Sequence, residues 1–329
     1  MNIEYKAFEV SEIGEKKYQG KIVNKNIDNL EQGDVLIKVK YSSLNYKDAL
    51  SSIGNKGVTR SYPHVLGIDA AGIVVDSKSS KFKNGDEVIV TGFDLGMNTS
   101  GGLAEYIRVP VEWLVNCPQS LNLKEAMFFG TAGFTAALSV LKLLESGVTV
   151  NDGPILVTGA SGGVASVAIA ILAKLGYSVT AASGKKEAYD FLKKIGATDI
   201  IDRTLIDDDS NKAMLKSKWA GVVDTVGGNI LATAIKTCKY NATVTTCGNV
   251  AGDKFSSSVY PFILRGVSLV GIDSVQCSLE LRDKVWSLLA NNYKFDFEGQ
   301  YQIITLYEVA SELEAILKGN HSGRTVVEL

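Results

Sequence analysis

A glycine-rich turn is the part of this sequence whose residue types and spacing indicate chemistry most directly. An apolar run that ends in Val157 and Thr158 is followed by Gly159, Gly162 and Ala165, the spacing G-x-x-G-x-x-[G/A]. Glycine lacks the Cβ that would block a pyrophosphate, and a helix that follows offers unpaired N–H groups and its positive end. A small third residue lets the helix pack closely on the strand. The turn therefore predicts dinucleotide binding, although glycine-rich turns also serve packing alone.

The residues that end the next predicted strand distinguish between the two nicotinamide cofactors. An NAD site usually has Asp or Glu there, about 20 residues after the glycines, to bind the ribose hydroxyls. Here the strand Ser178–Ser183 is followed by Gly184, Lys185 and Lys186, without a carboxylate. A serine hydroxyl and a lysine ammonium suit a 2′-phosphate through hydrogen bonds and charge. The sequence therefore favours NADP(H) over NAD, unless both lysines are simply solvated at the start of a helix.

The chain around the glycine turn alternates between apolar strands and amphipathic helices. Such short apolar runs are typical of parallel strands that are buried on both faces. One helix face is formed at the spacing i, i+3, i+4 and i+7 by Ala188, Phe191, Leu192 and Ile195. Because crossovers are right-handed, the pattern predicts a doubly wound sheet. Its predicted strands are Ile155–Gly159, Ser178–Ser183, Ile200–Arg203, Gly221–Gly227, Ala242–Gly248 and Leu269–Asp273.

The first third of the chain has a different pattern, in which short strands are separated by glycines and turn signals. In one run, Ile37, Val39 and Tyr41 alternate with lysines, as a half-buried strand requires. A chain of 329 residues is long enough for two domains. Two further helical patterns follow residue 275, and we expect them to rejoin the first domain. We therefore predict a β-rich domain over residues 1–123 and 275–329 and an α/β domain over residues 124–274.

Composition and charge argue against several classes of function. Lys and Arg total 34 and Asp and Glu total 36, so no basic excess is available for the phosphates of a nucleic acid. The uncharged stretch from Gly153 to Ala173 contains a proline and several glycines, which a membrane span tolerates poorly. The N-terminus lacks the apolar core of a signal peptide, and the four cysteines include no C-x-x-C pair. We expect a cytoplasmic protein without nucleic-acid or membrane partners.

The sequence lacks the ligands that a zinc-dependent alcohol dehydrogenase would need. Such enzymes combine a dinucleotide-binding domain with a β-rich domain that carries Cys, His and Glu at the metal. Asn45 stands where their first cysteine would fall, and their Gly-His-Glu step reads Gly-Ile-Asp at 67–69. Only His64 and His321 are available as histidine ligands. We therefore expect no metal.

Several short motifs are spread in a fixed order over nearly the whole chain. The two most specific are SSLNYKDAL at Ser42–Leu50 and GTAGFTAA at Gly130–Ala137. The others are PHVLGIDAAG at Pro63–Gly72, VTGASGGV at Val157–Val164, DTVG at Asp224–Gly227, PFILR at Pro261–Arg265, GIDS at Gly271–Ser274 and GRTV at Gly323–Val326. Together they resemble the zinc-independent medium-chain dehydrogenase/reductases. The resemblance is closest to the YhdH/YhfP quinone oxidoreductase family, which includes acryloyl-CoA reductases. Two departures are Ala165 for the usual glycine and Lys185 where arginine is common.

This resemblance implies a fold, a cofactor and an assembly. The fold would be a GroES-like β-rich catalytic domain plus a doubly wound Rossmann domain, with NADP(H) between them. The protein would be a homodimer that pairs its last Rossmann strands. By matching positions, the pyrophosphate would contact Ser161, Gly162, Gly163 and Val164. The 2′-phosphate would contact Ser183, Gly184 and Lys185, with Arg203 as a further candidate. Tyr46 would line the nicotinamide pocket, and the remaining expected cofactor neighbours are Thr131, Asn249, Ile263, Ser274 and Arg324. A purely structural role stays open for the last four.

The implied reaction is the NADPH-dependent reduction of the activated C=C bond of an α,β-unsaturated acyl thioester, of the acryloyl-CoA type. Without a metal, hydrogen-bond donors must stabilise the developing enolate charge. Tyr46 and Asn45 are the candidate catalytic residues, and Tyr46 could equally be a packing wall for the nicotinamide. Asp48 is expected to orient them or to cap a helix.

The acceptor itself stays open at this stage. Four residues could meet coenzyme A phosphates or lie in a solvated loop: Lys47, Lys56, Arg60 and His64. A quinone or small-enone reductase would need only an apolar slot. A nucleotide-binding sensor with little turnover is the alternative from another class.

Overall fold

The computed structural model describes residues 3–329, which form sixteen strands and eight α-helices. The strands are β1 (Glu4–Gly14), β2 (Lys17–Asn26), β3 (Val35–Ser43), β4 (His64–Val65), β5 (Asp69–Ser77), β6 (Glu87–Thr91), β7 (Tyr106–Val109), β8 (Leu114–Asn116), β9 (Ile155–Val157), β10 (Val179–Ser183), β11 (Asp199–Asp202), β12 (Trp219–Asp224), β13 (Cys238–Thr246), β14 (Ser268–Gly271), β15 (Tyr301–Thr305) and β16 (Arg324–Glu328). The helices are α1 (Tyr46–Ser52), α2 (Leu123–Glu145), α3 (Gly163–Lys174), α4 (Tyr189–Lys194), α5 (Gly228–Lys236), α6 (Tyr260–Arg265), α7 (Leu279–Ala290) and α8 (Val309–Leu317).

The chain divides into two compact units. The first unit runs to Thr131 and includes Val275–Ala290 and Tyr301–Leu329. The second comprises Ala132–Ser274 and Asn291–Gln300. The compact units differ from the predicted domain boundaries for residues 124–131 and 291–300. Compact units need not be domains that fold independently. The predicted domain boundaries therefore stay a prediction.

The first unit is built on two β-sheets. A three-stranded antiparallel sheet has the order β2-β1-β4, and a seven-stranded sheet has the order β15-β16-β3-β5-β6-β8, with β7 also paired to β3. The sequence alternation of β3 holds for Ile37 and Val39, which are buried, and for Lys38, which is exposed. Leu36 is buried too, because the opposite face of β3 is covered by the cluster that contains Tyr5 and Val65. The start of β3 is therefore buried on both faces.

The last strand of the chain begins with Arg324, one of the predicted cofactor neighbours. β16 pairs antiparallel with β3, so that Val326 lies opposite Ser43 and the N–H of Leu44 donates to the carbonyl of Thr325. This register brings Arg324 to the segment that connects β3 with α1. Hydrogen bonds of the sheet, rather than proximity in sequence, fix its place.

The second unit contains one six-stranded parallel sheet in the order β11-β10-β9-β12-β13-β14. The first strand of this unit, β9, lies in the middle, and the chain winds outwards in both directions. All residues of β9, β10 and β12 are buried, which explains the uninterrupted apolar runs. The predicted α/β fold, a GroES-like β-rich domain plus a doubly wound Rossmann domain, is confirmed.

Helix α2 contains a break that matters for the site. Gly130 has the non-helical angles φ 49° and ψ −154°, which favour glycine. By length and composition α2 is apolar enough to cross a membrane, but 83% of its most apolar window is buried inside the protein, as in a core helix. The predicted reading of Gly153–Ala173 as strand, turn and buried helix corresponds to β9 and α3.

Candidate functional site

The glycine turn lies between β9 and α3, at the carboxyl edge of the central strand. Gly159 has a φ of 60°, and a Cβ on it would come within 2.6 Å of Thr225 Oγ1 and of a methyl carbon of Val226. Gly162 caps α3, and no side chain hydrogen-bonds to the first N–H groups of this helix from the cap position. Ala165 is fully buried, as close helix-to-strand packing requires. The turn thus has the features that a pyrophosphate needs.

The four residues predicted for a 2′-phosphate come together at the ends of β10 and β11. Ser183 Oγ accepts a hydrogen bond from the N–H of Lys185 at 3.1 Å. A Cβ on Gly184 would lie 2.8 Å from Nε of Arg203, so the guanidinium rests against the glycine backbone. Partial burial lowers the pKa of Lys185. Two cationic side chains and a hydroxyl therefore share the place where NAD-binding folds usually have a carboxylate.

A cavity of about 640 Å³ opens at the carboxyl ends of β13 and β14. Its lining residues are Thr246, Cys247, Gly248, Asn249, Gly271, Ile272 and Asp273. Ser274 follows directly and is hydrogen-bonded to Thr135 at 2.8 Å. Ile263 lies on α6 and is largely exposed. Of the predicted cofactor neighbours in this unit, Asn249 lines the cavity and Ser274 adjoins it.

In the first unit, a buried network of hydrogen bonds is centred on Asp69. Its Oδ2 accepts bonds from Ser43 Oγ at 2.6 Å, from Asn45 Nδ2 at 2.8 Å and from the N–H of Thr131 at 2.9 Å. The hydroxyl of Thr131 donates to Oδ1. The break at Gly130 allows this, since Thr131 directs its N–H to the carboxylate rather than along the helix. A Cβ on Gly130 would meet Ser43 Oγ at 2.3 Å and Asp69 Oδ2 at 2.5 Å.

Arg324 is the buried cation of this network. Its guanidinium donates to the carbonyls of Phe128 and Leu44 and to Ser43 Oγ, at 2.9 to 3.0 Å, and more weakly to Asn45 Oδ1 at 3.4 Å. Burial lowers the pKa of Arg324, and Asp69 and Asp48 oppose that effect. The arginine therefore offsets two buried carboxyl groups.

Asp48 completes the capping box at the start of α1, in which Asn45 is the N-cap residue. Its carboxylate accepts from the N–H of Asn45 at 2.8 Å and from the N–H of Ile68 at 3.0 Å. Burial, and secondarily the negative charge of Asp69, raises its pKa from 3.8 to about 7. Asp48 thus fixes the start of α1 against the strand that carries Asp69.

The two predicted catalytic residues differ in their surroundings. Tyr46, the first residue of α1, is 39% exposed. Asn45 uses its two amide protons within the protein, on Asp69 at 2.8 Å and on the carbonyl of Ser43 at 3.2 Å. The partly exposed Tyr46 is therefore better placed to meet a ligand.

The four basic residues considered for coenzyme A are not equivalent. The ammonium of Lys56 lies 4.7 Å from the ring centre of Tyr62 and donates to the carbonyl of Arg60. His64 is buried. Lys47 and Arg60 remain candidates, with Lys47 in contact with the sulfur of Met97 at 3.8 Å.

Sequence reasoning treated Asp69 only as a replacement for a metal ligand and did not identify Ser43. The available signal was position, since an acidic residue stands where zinc enzymes have glutamate. Within residues 3–329, no group of three His, Cys, Asp or Glu could hold a metal ion. The carboxylate of Asp69 is instead saturated by donors, with the Arg324 guanidinium bonded to the same Ser43 hydroxyl. Because a second cation would be repelled there, these residues do not fit zinc.

The chain is similar to known proteins over its whole length. Residues 31–119 match the family model described as the alcohol dehydrogenase GroES-like domain, and residues 163–291 match that described as zinc-binding dehydrogenase. YhfP of Bacillus subtilis, by name a quinone oxidoreductase, is 46% identical over 309 residues, 92% of each chain. The acrylyl-CoA reductase AcuI of Ruegeria pomeroyi is 42% identical over 314 residues, 95% of each chain.

Solved structures agree with these relatives. The structure of Bacillus subtilis YhfP with NAD bound has a TM-score of 0.96 and 43% identity, and it covers 99% of this chain and 100% of that one. The YhdH oxidoreductase from Salmonella enterica in complex with NADP has a TM-score of 0.95 and 40% identity, with 98% and 99% covered. The chain therefore belongs to the medium-chain dehydrogenase/reductases and, within them, to the YhdH/YhfP quinone oxidoreductase family.

Proposed function

We propose that this oxidoreductase uses NADPH to reduce the activated C=C bond of an α,β-unsaturated acyl thioester of the acryloyl-CoA type. The observation that carries the proposal is the network around Asp69, which holds Asn45, at the position of a zinc enzyme's first cysteine, as an amide donor beside the buried Arg324. The similarity to the acrylyl-CoA reductase AcuI supports the thioester as substrate. We expect the protein to act in the cytoplasm.

The residues of the second unit bind the cofactor in this proposal. When bound, NADPH supplies the hydride that the β-carbon of the alkene accepts. The helix start at Ser161, Gly162, Gly163 and Val164 holds the pyrophosphate, and Ser183, Gly184, Lys185 and Arg203 hold the 2′-phosphate. Asn249, Ile263 and Ser274 are proposed neighbours of the nicotinamide half. The NADP-bound YhdH structure supports NADP(H) over NAD, whereas the YhfP structure holds NAD.

The residues of the first unit act on the substrate in this proposal. Tyr46 Oη delivers the proton to the α-carbon. Asn45 stabilises the charge on the carbonyl oxygen with the amide proton that now makes its longer bond, to Ser43. Thr131 keeps the Asp69 carboxylate in place directly, and Arg324 does so through the Ser43 hydroxyl. A direct contact of Thr131 or Arg324 with the cofactor is also part of the proposal.

Replacement of Tyr46 by Phe tests the proton-donor role. We expect kcat to fall about 10²-fold, because general acid catalysis contributes that much, while the Kd of NADPH stays unchanged. Stopped-flow rates and fluorescence titration of NADPH measure the two quantities. Tyr46→Ala is the companion variant, since a packing wall would show itself as weaker NADPH binding there. Wild-type turnover by Tyr46→Phe would contradict the role.

The raised pKa of Asp48 predicts a pH dependence of stability. Its native pKa of about 7 exceeds the ordinary 3.8, so between these values the native state binds more protons than the unfolded chain. The free energy of unfolding should therefore fall as the pH rises through this window. Relative to Asp48→Asn, we expect wild type to lose on the order of 2 kcal/mol between about pH 5 and about pH 8. Urea unfolding at both pH values measures this. Parallel curves for the two proteins would refute the assignment.

The proposed function is tested by NADPH consumption with acryloyl-CoA and a simple benzoquinone side by side, each repeated with NADH. We expect fast turnover with the thioester and NADPH. Turnover of the quinone alone would overturn the thioester proposal. NADPH binding without oxidation by either acceptor would point to a nucleotide-binding sensor.

Quinone or small-enone reduction is the second candidate. The observation in its favour is the 46% identity to YhfP, a quinone oxidoreductase by name. Such acceptors would not need Lys47 or Arg60. Loss of these two charges should therefore raise the KM for acryloyl-CoA and leave the KM for a quinone unchanged.

We further propose a homodimer formed through β14. Among the described residues this edge strand pairs only with β13. The adjoining α6 region exposes the apolar side chains of Val259 and Leu264. An unpaired edge beside an apolar patch is a surface that proteins normally cover. A second copy related by twofold symmetry would pair the two edges and bury both patches.

The dimer predicts a mass of twice 35.2 kDa by light scattering. The double variant Val259→Glu/Leu264→Glu is expected to have the mass of a monomer, because it would place four carboxylates in the interface. Leu205→Glu is the matched control, since Leu205 is equally exposed but follows β11 at the opposite edge of the sheet. A dimeric double variant would exclude this interface.

A further inference from the structure

A buried carboxylate joins the ends of three adjacent strands of the second unit, β9, β12 and β13. Asp224 is the last residue of β12 and has no exposed surface. Its neighbours in the sheet are β9, which leads to the glycine turn, and β13, which leads to the cavity. Asp224 lies in neither the glycine turn nor the cavity lining. Its carboxylate nevertheless accepts hydrogen bonds from Thr158, after β9, and from Thr246, at the end of β13.

The contacts of Asp224 run to both sides. Oδ1 accepts a hydrogen bond at 2.8 Å from Oγ1 of Thr158, the residue directly before Gly159. Oδ2 accepts a hydrogen bond from Thr246 Oγ1 at 2.9 Å, and Thr246 is the first residue of the cavity lining. Oδ2 also accepts from the N–H of Gly227 at 3.0 Å, which fixes the turn after β12.

On the side of the glycine turn, the connection continues for one more layer. Thr158 Oγ1 accepts from the N–H of Thr225 at 3.0 Å, so its own proton is directed at Asp224. The hydroxyl of Thr225 returns a bond to the carbonyl of Thr158 at 2.8 Å. Since a Cβ on Gly159 would lie 2.6 Å from Thr225 Oγ1, this double link sets the position of the glycine turn.

On the cavity side, the backbone of Asp224 adds a second link. Its carbonyl accepts from the N–H of Cys247 at 3.1 Å. Cys247 and the two residues after it line the cavity. One residue thus holds the pyrophosphate turn with one carboxylate oxygen and the cavity segment with the other.

Burying the Asp224 carboxylate costs desolvation free energy, which strand packing by an apolar residue would not. Burial raises the pKa of Asp224, and its hydrogen-bond donors oppose that rise. An apolar side chain would avoid this desolvation penalty altogether. A satisfied buried polar group instead specifies one arrangement, because displaced donors would be left without an acceptor.

We propose that Asp224 is a positioning residue that fixes the distance between the pyrophosphate turn and the cavity, so that one dinucleotide can contact both. This inference rests on the cofactor placement proposed above. Its two arms are separable, because Thr158 connects Asp224 only to the glycine turn and Thr246 connects it only to the cavity segment.

The test compares Thr158→Val with Thr246→Val. Loss of one buried hydrogen-bond partner is expected to cost a factor of about ten in the property that depends on that arm. Thr158→Val should raise the Kd of NADPH about tenfold with kcat at saturating NADPH within about twofold of wild type. Thr246→Val should leave the Kd within about threefold and lower kcat about tenfold. Fluorescence titration and steady-state rates, with acryloyl-CoA or benzoquinone as acceptor, measure both.

Serine at either position keeps the hydroxyl and serves as the matched control. Thr158→Ser and Thr246→Ser should restore the wild-type Kd and kcat. If Thr158→Val does not fold, Thr225→Val removes only the bond to the Thr158 carbonyl and should raise the Kd by about threefold. Equal effects of the two arms on Kd and kcat, or lower melting temperatures with both constants unchanged, would overturn the inference. Absence of NADPH binding by the wild type would refute the cofactor proposal as well.

Discussion

Arg324→Met is expected to lower kcat about 10²-fold and to destabilise the first unit. The guanidinium is buried, donates to two backbone carbonyls and to Ser43, and offsets the charges of Asp48 and Asp69. Methionine fills similar volume but supplies no donor. Removal of one partner from a buried charge network costs about 3–5 kcal/mol. Because Arg324 positions Asn45 and Ser43 rather than contacting the substrate, its loss is expected to lower kcat about 10²-fold through misplacement of Asn45.

Urea unfolding and steady-state kinetics measure the two effects of Arg324→Met. Arg60→Met is the control for stability alone, because Arg60 is exposed and its removal should change the free energy of unfolding by no more than about 0.5 kcal/mol. The double variant Arg324→Met/Asp69→Asn should recover part of the stability, with a coupling energy of about 0.5–3 kcal/mol, but not the activity. Arg324→Met with activity near wild type would contradict the role of this network.

Gly162→Val is expected to abolish NADPH binding at ordinary concentrations while the fold stays intact. Gly162 has ordinary backbone angles at the cap of α3, and a Cβ there would meet only the carbonyl of Gly159, at 3.2 Å. A Cβ at this position therefore requires only a small shift of the Gly159 carbonyl. A pyrophosphate at the helix start leaves no room for the side chain, because it must approach the backbone closely. We expect the Kd of NADPH to rise at least about 10²-fold.

Fluorescence titration of NADPH and thermal melting separate binding from folding in this variant. Gly14→Val is the matched control, since Gly14 is exposed and a Cβ there would lie 3.9 Å from its nearest neighbour, a carbon of Lys17. Both variants should melt close to wild type, and only Gly162→Val should lose NADPH. An unchanged Kd in Gly162→Val would show that the turn serves packing alone.

The sequence predicted those features that depend on local pattern. The period of apolar residues and the turn chemistry identified all six strands of the parallel sheet to within a few residues. The glycines and the absence of a carboxylate after Ser183 were sufficient to favour NADP(H). Such features are readable because each depends on neighbours within about one strand, turn or helix.

Only the tertiary structure decided how the polar residues are partnered. Ser43, Asp69, Thr131 and Arg324 are widely separated in sequence, and they meet because β16 pairs with β3 and because α2 breaks at Gly130. Asp224 likewise became distinguishable from an ordinary strand residue only through its two threonines. A hydrogen bond requires a donor and an acceptor within about 3 Å in the right direction. Residues far apart in sequence can lie at any distance in the folded chain, so sequence spacing does not predict such contacts. The register of the strands and the burial of the side chains determine them.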